Sequence, residues 1–312
     1  MKKGWKIFWI ICAVLAAIGI FFAVAGTALG GLALLRDEQD ENIVRDWMDR
    51  LGIRIRNEVT VTTDVSELPD GEYTPGEING RDITSYSGID ELDLELTGMS
   101  VCVLPYDEEL GEIYAGDIVV DTSQCRDDLK DMITVTQDGS ELQVHMEDRG
   151  RLNTQDSGIM YISVPRWIYF QKITADAKAG FIELSEIEAR ELEVKTDAGQ
   201  IIVSAFSAER LDAECGVGQI ILEGEVTGSA EIDCNIGEVL CTLPGTADAY
   251  DYELKCAVGE LMIDGELYNG IVNKKEIDNG SDCRVKAECD MGRVEINFEQ
   301  RCRENGKIRF GY

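Results

Sequence analysis

A short motif recurs six times between residues 173 and 296, and this repeat limits the chain to few folds. Each copy has alternating apolar residues, a small residue, two spacer residues, a glycine and then alternating apolar residues again. The first four glycines are evenly spaced, and the later intervals are longer. A fixed period of about 20 residues indicates a solenoid, because one unit buries its apolar face only when neighbours stack on it. The repeated glycines are Gly180, Gly199, Gly218, Gly237, Gly259 and Gly292.

The alternation on both sides of each glycine has a period of two, which is typical of strands. It predicts an all-β fold, a right-handed parallel β-solenoid with rungs of about 19 residues. The predicted hand follows the general preference for right-handed crossovers. Each glycine is expected to form a bend where a Cβ atom would clash. A phosphate-binding role is not expected, because no helix N-terminus follows these glycines.

Aligned in chain order, the copies share a column of thiols three positions before the glycine. The alternation places this column inward, and its members are Cys215, Cys234, Cys256 and Cys289. Equivalent residues of a parallel ladder point the same way, so we expect free thiols that pack as small apolar groups. The alternative is a disulfide framework, which is usual for exported chains with many cysteines.

A second column, three positions after the glycine, is expected to face outward yet carries four large apolar residues. We call it the post-glycine stripe, and it consists of Ile202, Ile221, Leu240 and Met262. Contiguous apolar residues on an acidic surface usually mark a contact site, so the stripe is the predicted interaction surface. The alternative is cover by the chain itself, either by an amphipathic stretch with Trp47 and Met48 or by the insertion at 264–284.

The N-terminal stretch 1–35 predicts a membrane anchor. Three lysines precede residues 7–35, which carry no charge and are long enough to cross a bilayer core of about 30 Å. Lysines before the span and acidic residues after it predict a cytoplasmic N-terminus and an extracytoplasmic domain. The alternative is a cleaved signal peptide, although its apolar region is normally only about 7–15 residues long.

Turn signals and charge then divide the chain. We predict a short amphipathic helix at 42–51 and a linker with turn signals such as Pro69-Asp70-Gly71. The predicted parts are a cytoplasmic N-terminus (1–6), a transmembrane helix (7–35), a juxtamembrane helix and linker (36–85), and the solenoid domain (86–312), with an irregular cap (86–165), regular rungs (166–298) and a closing strand (299–312).

The acidic balance restricts the possible partners. The chain has 60 acidic and 29 basic residues, and every acidic residue follows the predicted span. Such a surface excludes non-specific nucleic-acid binding as a main activity and disfavours contact with anionic lipid. The remaining partners are an envelope protein, or a cationic peptide attracted by charge.

No catalytic, metal or cofactor residues are predicted. The sole histidine, His145, alternates with apolar residues and is expected to be exposed, which makes it a poor general base. The catalytic alternative is a polysaccharide-active β-helix enzyme, which would use paired carboxylates. Pairs of carboxylates are expected by chance in so acidic a chain, so they do not indicate catalysis. A calcium site at Asp197, Asn235 and Asp290 is also disfavoured, because lysine, glycine and alanine interrupt the column.

From Tyr86 to Phe310 the repeat, together with Ile162-Ser-Val-Pro165 at its start, resembles a bacterial family of unknown function with β-strand repeats, whose members are labelled adhesin-like. The resemblance implies a membrane-anchored protein encoded among envelope-stress genes, and it supplies no catalytic residues. The expected function is therefore a non-catalytic interaction or scaffold module of the cell envelope, acting in envelope stress or adhesion.

Overall fold

The computed structural model of the chain describes residues 78–106, 114, 116–146, 158–166, 168–268, 273–299, 301–304 and 307–310. Strands dominate these residues, which contain one short helix, α1 (Asp127–Lys130), and a 3-10 turn at Ala247–Ala249. The strands are β1 (Ile83–Tyr86), β2 (Glu91–Leu96), β3 (Ser100–Tyr106), β4 (Ile118–Asp121), β5 (Ile133–Asp138), β6 (Glu141–Met146), β7 (Ile159–Pro165), β8 (Tyr169–Ser185), β9 (Glu188–Pro244), β10 (Asp251–Ile263), β11 (Glu266–Tyr268), β12 (Asn273–Ile277), β13 (Arg284–Glu299), β14 (Arg301–Glu304) and β15 (Lys307–Phe310).

The regular part of the fold is a parallel stack in an open, β-solenoid-like sheet of 13 strands. We call one repeat of the stack a coil, made of an arm before the glycine and an arm after it. β8 pairs in parallel with the start of β9 at a constant offset, which places Gly180 beside Gly199. β9 is 57 residues long because it continues through three successive coils. The predicted all-β repeat fold is confirmed.

Alternation of apolar and polar residues produces the core. Inward positions of successive coils are completely buried, as at Val194, Ile201 and Ile220, and they belong to one continuous cluster. Outward positions on the same strands are half-buried or exposed. Each coil therefore contributes a thin layer of core that is completed only by the coils on either side.

The C-terminal end of the stack does not follow chain order. β13 pairs in parallel with β9 on one edge and with β10 on the other. The glycines consequently stack in the order Gly237, Gly292 and Gly259, which differs from their order in the chain. The outer edge of β10 pairs antiparallel with β11 and with β12. Part of the predicted insertion at 264–284 thus covers the end of the stack.

The N-terminal end is more regular than predicted. β2 and β3 pair with the two arms of β8, so residues 91–106 form a coil of the stack. β6 and β7 pair in parallel with β2 and β3 and form a further coil outside it. Antiparallel strands then cover this outer coil, with β5 on β6 and β4 on β7. β5 and β6 form a hairpin that turns at Gly139 and Ser140.

The C-terminal tail pairs with itself. β14 and β15 form a two-stranded antiparallel sheet that is separate from the stack. The prediction that residues 299–312 supply a closing strand of the stack is therefore wrong. Among the residues that the structure describes, no helix has the length and apolar character to cross a membrane. The predicted span at 7–35 and the predicted helix at 42–51 lie outside the described residues.

Candidate functional site

The repeated glycines are structural. Gly218 has φ +147°, a conformation that L side chains rarely adopt, and a Cβ atom there would overlap the carbonyl oxygen of Gly199. The same relation links each of the other repeated glycines to a neighbouring coil, with Gly180 facing the carbonyl oxygen of Met99. The glycines therefore let adjacent coils approach closely at the bend.

The thiol column is buried, as predicted. In space its order is Cys215, Cys234, Cys289 and Cys256, and none of the four forms a disulfide. Their Sγ atoms lie near carbonyl oxygens of the repeated glycines, at 3.4 Å for Cys256 and Gly292. Burial raises the pKa of Cys256 to about 11, and the thiols on both sides of Cys234 raise its pKa as well. The hydrogen bonds to Cys234 lower the pKa of Cys215 and of Cys289. Burial keeps reagents away from all four thiols, so this column is packing.

The post-glycine stripe differs from the prediction in two respects. Its members are half-buried and not exposed. Glu295 of β13 lies between Leu240 and Met262, because β13 occupies the position between the last coil of β9 and β10. Two amides on the same face, Gln200 and Gln219, are also buried and hydrogen-bonded to one another at 2.6 Å. The stripe is therefore a partly covered face that ends at Leu240.

The exposed apolar surface lies four positions earlier in each copy, at the residue immediately before the glycine. Met291 pairs with Ile236 on one side and with Val258 on the other, and their exposed fractions are 53%, 37% and 61%. Val217 occupies the equivalent position one coil before Ile236 and is half-buried. We call these four residues the corner ridge. They lie at the bend between the two arms of each coil, and three of them are exposed.

Polar groups border the corner ridge. On one side lie Asn235 and Asp290, both exposed, and on the other lie Glu238, Arg293 and Glu260. Arg293 is already engaged, because its guanidinium contacts the carboxylate of Glu295 and the Met262 Sδ. The border of the ridge is therefore predominantly acidic, with its one cation neutralised.

The arm before the glycine carries a network of ion pairs on its outward face. Lys195 lies 3.1 Å from Glu193 and 3.0 Å from Glu214, which are on its own coil and the next. Burial raises the pKa of Asp212 in spite of the nearby Lys195. Solvated ion pairs of this kind contribute little to stability, so this face mainly supplies charge.

The described residues show little that could perform chemistry. His145 is exposed, as predicted, and its Nδ1 lies 2.9 Å from the Glu95 Oε2. Within the described ranges, no group of three or more His, Cys, Asp or Glu side chains is placed to hold a metal ion. The proposed calcium ligands Asp197, Asn235 and Asp290 are exposed, and Asp197 does not stack directly on the other two.

The repeat and its coils correspond to a known family model. The model of Toastrack DUF4097 matches residues 89–298, which are more than half of the chain. The chain belongs to the Toastrack DUF4097 family. No curated protein matches it.

Solved structures of the same kind share little sequence with this Toastrack chain. A "putative cell adhesion protein" from Clostridium sporogenes is 16% identical, with 70% of this chain and 98% of that chain covered and a TM-score of 0.41. A "putative adhesin" from Bacteroides fragilis is 11% identical, with coverage of 69% and 95% and a TM-score of 0.30. A "putative lipid binding protein" from Parabacteroides distasonis is 10% identical, with coverage of 71% and 98% and a TM-score of 0.26.

The repeats of this Toastrack domain predict its columns, and the predicted stripe is half-buried, whereas the residues before the last three glycines are exposed. The aligned repeats contain a signal for this surface, because the residue before the glycine is apolar in all six copies and is larger than alanine in the last four. Alternation of apolar and polar residues does not predict whether a residue at a bend faces the core or the solvent, so it makes no prediction for this column.

Proposed function

We propose that this protein is a non-catalytic interaction module of the bacterial cell envelope and that it binds a protein partner through the corner ridge. The carrying observation is that three of the exposed large apolar side chains, Ile236, Met291 and Val258, adjoin one another in three paired strands. Contiguous exposed apolar area on a soluble domain usually marks a contact site. A partner that covers these side chains removes their apolar area from water, which stabilises the complex.

We also propose where each part of the chain lies relative to the membrane. The uncharged residues 7–35 form a single transmembrane helix, the N-terminus is cytoplasmic, and the right-handed solenoid lies outside the membrane. A C-terminal fusion to alkaline phosphatase, which is active only outside the cytoplasm, tests this topology. Activity of the full-length fusion and its loss without residues 7–35 are expected. Equal activity of the two fusions would contradict the anchor.

Crosslinking in cells that naturally produce the protein tests the contact site. A photoreactive residue at Met291 or Val258 is expected to capture a discrete envelope protein. The matched control is Tyr169, which is 44% exposed and lies outside the ridge. Equal capture from the control, or capture of lipid alone from the ridge, would contradict the proposal.

A second candidate function is capture of cationic peptides by charge alone. The formal net charge of −31 and the acidic outward face favour it. Binding of this kind weakens steeply when salt screens the charges. Measured dissociation rates at low and high salt separate the candidates, because apolar docking on the ridge retains much of its affinity and charge capture does not. Lipid binding is disfavoured by the acidic border of the ridge.

A further inference from the structure

We infer that the corner ridge binds an amphipathic helix of the partner, whose apolar stripe is bordered by lysine or arginine. This inference rests on the proposed function and specifies the chemistry of the partner. It concerns Ile236, Met291 and Val258, the three exposed members of the ridge, together with the acidic residues beside them.

The spacing of the ridge matches a helix. Ile236, Met291 and Val258 occupy adjacent hydrogen-bonded strands, so neighbouring side chains are about 4.8 Å apart and the row extends over about 10 Å. An α-helix rises about 5.4 Å per turn, and residues at i, i+4 and i+7 project from one side at nearly this interval. Two helical turns laid along the ridge place one apolar residue against each member.

An extended partner strand fits less well. Side chains on one face of a strand repeat at about 6.6–6.8 Å, which falls out of step with the ridge after a few side chains. A strand would also present its own N–H and C=O groups to apolar side chains, which offer no hydrogen-bond partners. A helix satisfies these groups internally, so its desolvation against the ridge costs less free energy.

The border of the ridge selects the charge of the partner. Asp290 is exposed on one side, and Glu238 and Glu260 lie on the other. Arg293 is paired with Glu295, and Lys255, farther down the arm, is paired with Glu288 at 2.9 Å. Lysine or arginine beside the apolar stripe of the helix would therefore face carboxylates. Two ridges of identical copies would instead bring like charges together, which disfavours self-association through this surface.

Designed peptides test the inference on the full-length chain in detergent micelles. Three peptides of about four helical turns are compared. The first has leucine along one stripe and lysine elsewhere, the second has glutamate in place of lysine, and the third has the leucines of the first scattered around the helix. The leucine–lysine stripe peptide is expected to bind at least tenfold more tightly than the other two.

Variants connect the binding to the ridge. Ile236→Ser with Met291→Ser is expected to weaken binding of the leucine–lysine peptide by at least tenfold. The matched control, Tyr169→Ser with Leu267→Ser, removes two similarly exposed apolar side chains outside the ridge and should leave binding unchanged. Asp290→Asn with Glu260→Gln should weaken binding several-fold, mainly through the association rate. Circular dichroism checks that every variant is folded.

A variant that introduces a positive charge on the ridge provides a second test if the Ile236→Ser, Met291→Ser double variant is unstable. Met291→Lys is expected to repel the leucine–lysine peptide and to bind the leucine–glutamate peptide more tightly than the native chain does. Unchanged binding by the ridge variants, or equal binding of the stripe and scattered peptides, would overturn the inference. Ridge-dependent dimerisation of the chain would overturn it in favour of a second copy. If the peptides fail while crosslinks from Met291 persist, the proposed function stands and the helical partner is rejected.

Discussion

The middle of the stack and its two ends follow different rules. In the middle, from β8 through β9, each coil pairs with the next coil in the sequence at a constant offset. At the ends, β13 lies between β9 and β10, and β2 with β3 lies between β8 and the later coil of β6 and β7. Antiparallel strands then cover both outer coils. The middle is thus stabilised by contacts between coils that are neighbours in the sequence. The ends depend on pairing between strands that are distant in the sequence, and this pairing covers exposed edges.

The largest effect is expected for a glycine of the middle. Gly218→Ala should destabilise the domain by more than about 4 kcal/mol, because the new Cβ meets the Gly199 carbonyl in a left-handed conformation. Gly139→Ala, at the turn of the N-terminal hairpin, has φ +63° but nothing within 4 Å, so its cost should be about 1–2 kcal/mol. Urea unfolding of both variants measures the difference. Similar losses of unfolding free energy in the two variants would show that the middle and the ends do not differ in this respect.

Core truncation should show the same contrast at a smaller scale. Ile220→Ala, in a fully buried inward position of β9, is expected to cost about 2–5 kcal/mol. Ile133→Ala in the covering strand β5 removes a half-buried side chain and should cost about 1–2 kcal/mol, because less area returns to water. Thermal and urea unfolding of the pair give both values. An equal or larger loss at Ile133 would show that the ends limit global stability.

Alkaline pH should weaken the middle through its buried thiols. Burial raises the pKa of Cys241 from 9.0 to about 12. Below pH 9 both the folded and unfolded thiols keep their protons, so stability does not change. Between pH 9 and about 12 only the unfolded state loses this proton, and stability falls by about 2 kcal/mol by about pH 10.5.

The variant Cys241→Ala isolates this contribution, since tyrosines and other thiols titrate in both proteins. Its starting stability should be lower and its decline between about pH 8 and 10.5 smaller than that of the native chain. Parallel declines in the two proteins would assign the alkaline loss to other groups.

Opening of the ends should expose their thiols before those of the middle. Cys125 and Cys283 lie at the N-terminal and C-terminal ends, and Cys215 and Cys241 lie in β9. In urea below the unfolding transition, alkylation of the end pair should be at least about tenfold faster, because fraying costs less free energy than global unfolding. Mass spectrometry of timed samples measures the rates, and simultaneous modification of all four would indicate a single cooperative unit.

The smallest effect is expected at the ion pairs of the outward face. Lys286 on β13 lies 2.7 Å from Glu231 and 3.4 Å from Glu288. Lys286→Met should change stability by less than about 1 kcal/mol, because all three side chains are partly solvated. The matched surface change Lys274→Met, on the covering strand β12, should have a similarly small effect. A loss of several kcal/mol for Lys286 alone would show that charge fixes the position of β13.

The sequence predicts the middle of the molecule better than its ends. The period, the bend glycines and the burial of Cys215 and Cys234 follow from alternation and spacing, because each coil contacts its neighbours at a constant offset. The position of β13 does not follow, since a column of similar residues fits two stacking orders equally well. The exposure of the ridge does not follow either, because the glycine interrupts the period-two alternation and the pattern assigns no face to the residue before it.

The position of β13 makes the order of synthesis important. β10 is complete at Ile263, whereas β13 is complete only at Glu299. At about 5–20 residues per second this interval lasts about 2–7 s, and strand pairing is faster by orders of magnitude. During that time β10 can pair directly with β9, since Cys256 and Gly259 match Cys234 and Gly237. Such a pairing would occupy the edge of β9 on which β13 lies in the folded chain.

Two basic residues of β13 distinguish the native arrangement from this competitor. Lys286 lies between Glu231 and Glu253, and Arg293 lies between Glu238 and Glu260. Direct pairing of β10 with β9 would place each of these glutamates beside the other, and like charges on adjacent strands are destabilising. Lys255 beside Asp233 would offset part of this repulsion. With β13 inserted, a cation stands between the glutamates of each pair, so the charge pattern favours the native order over direct pairing of β10 with β9.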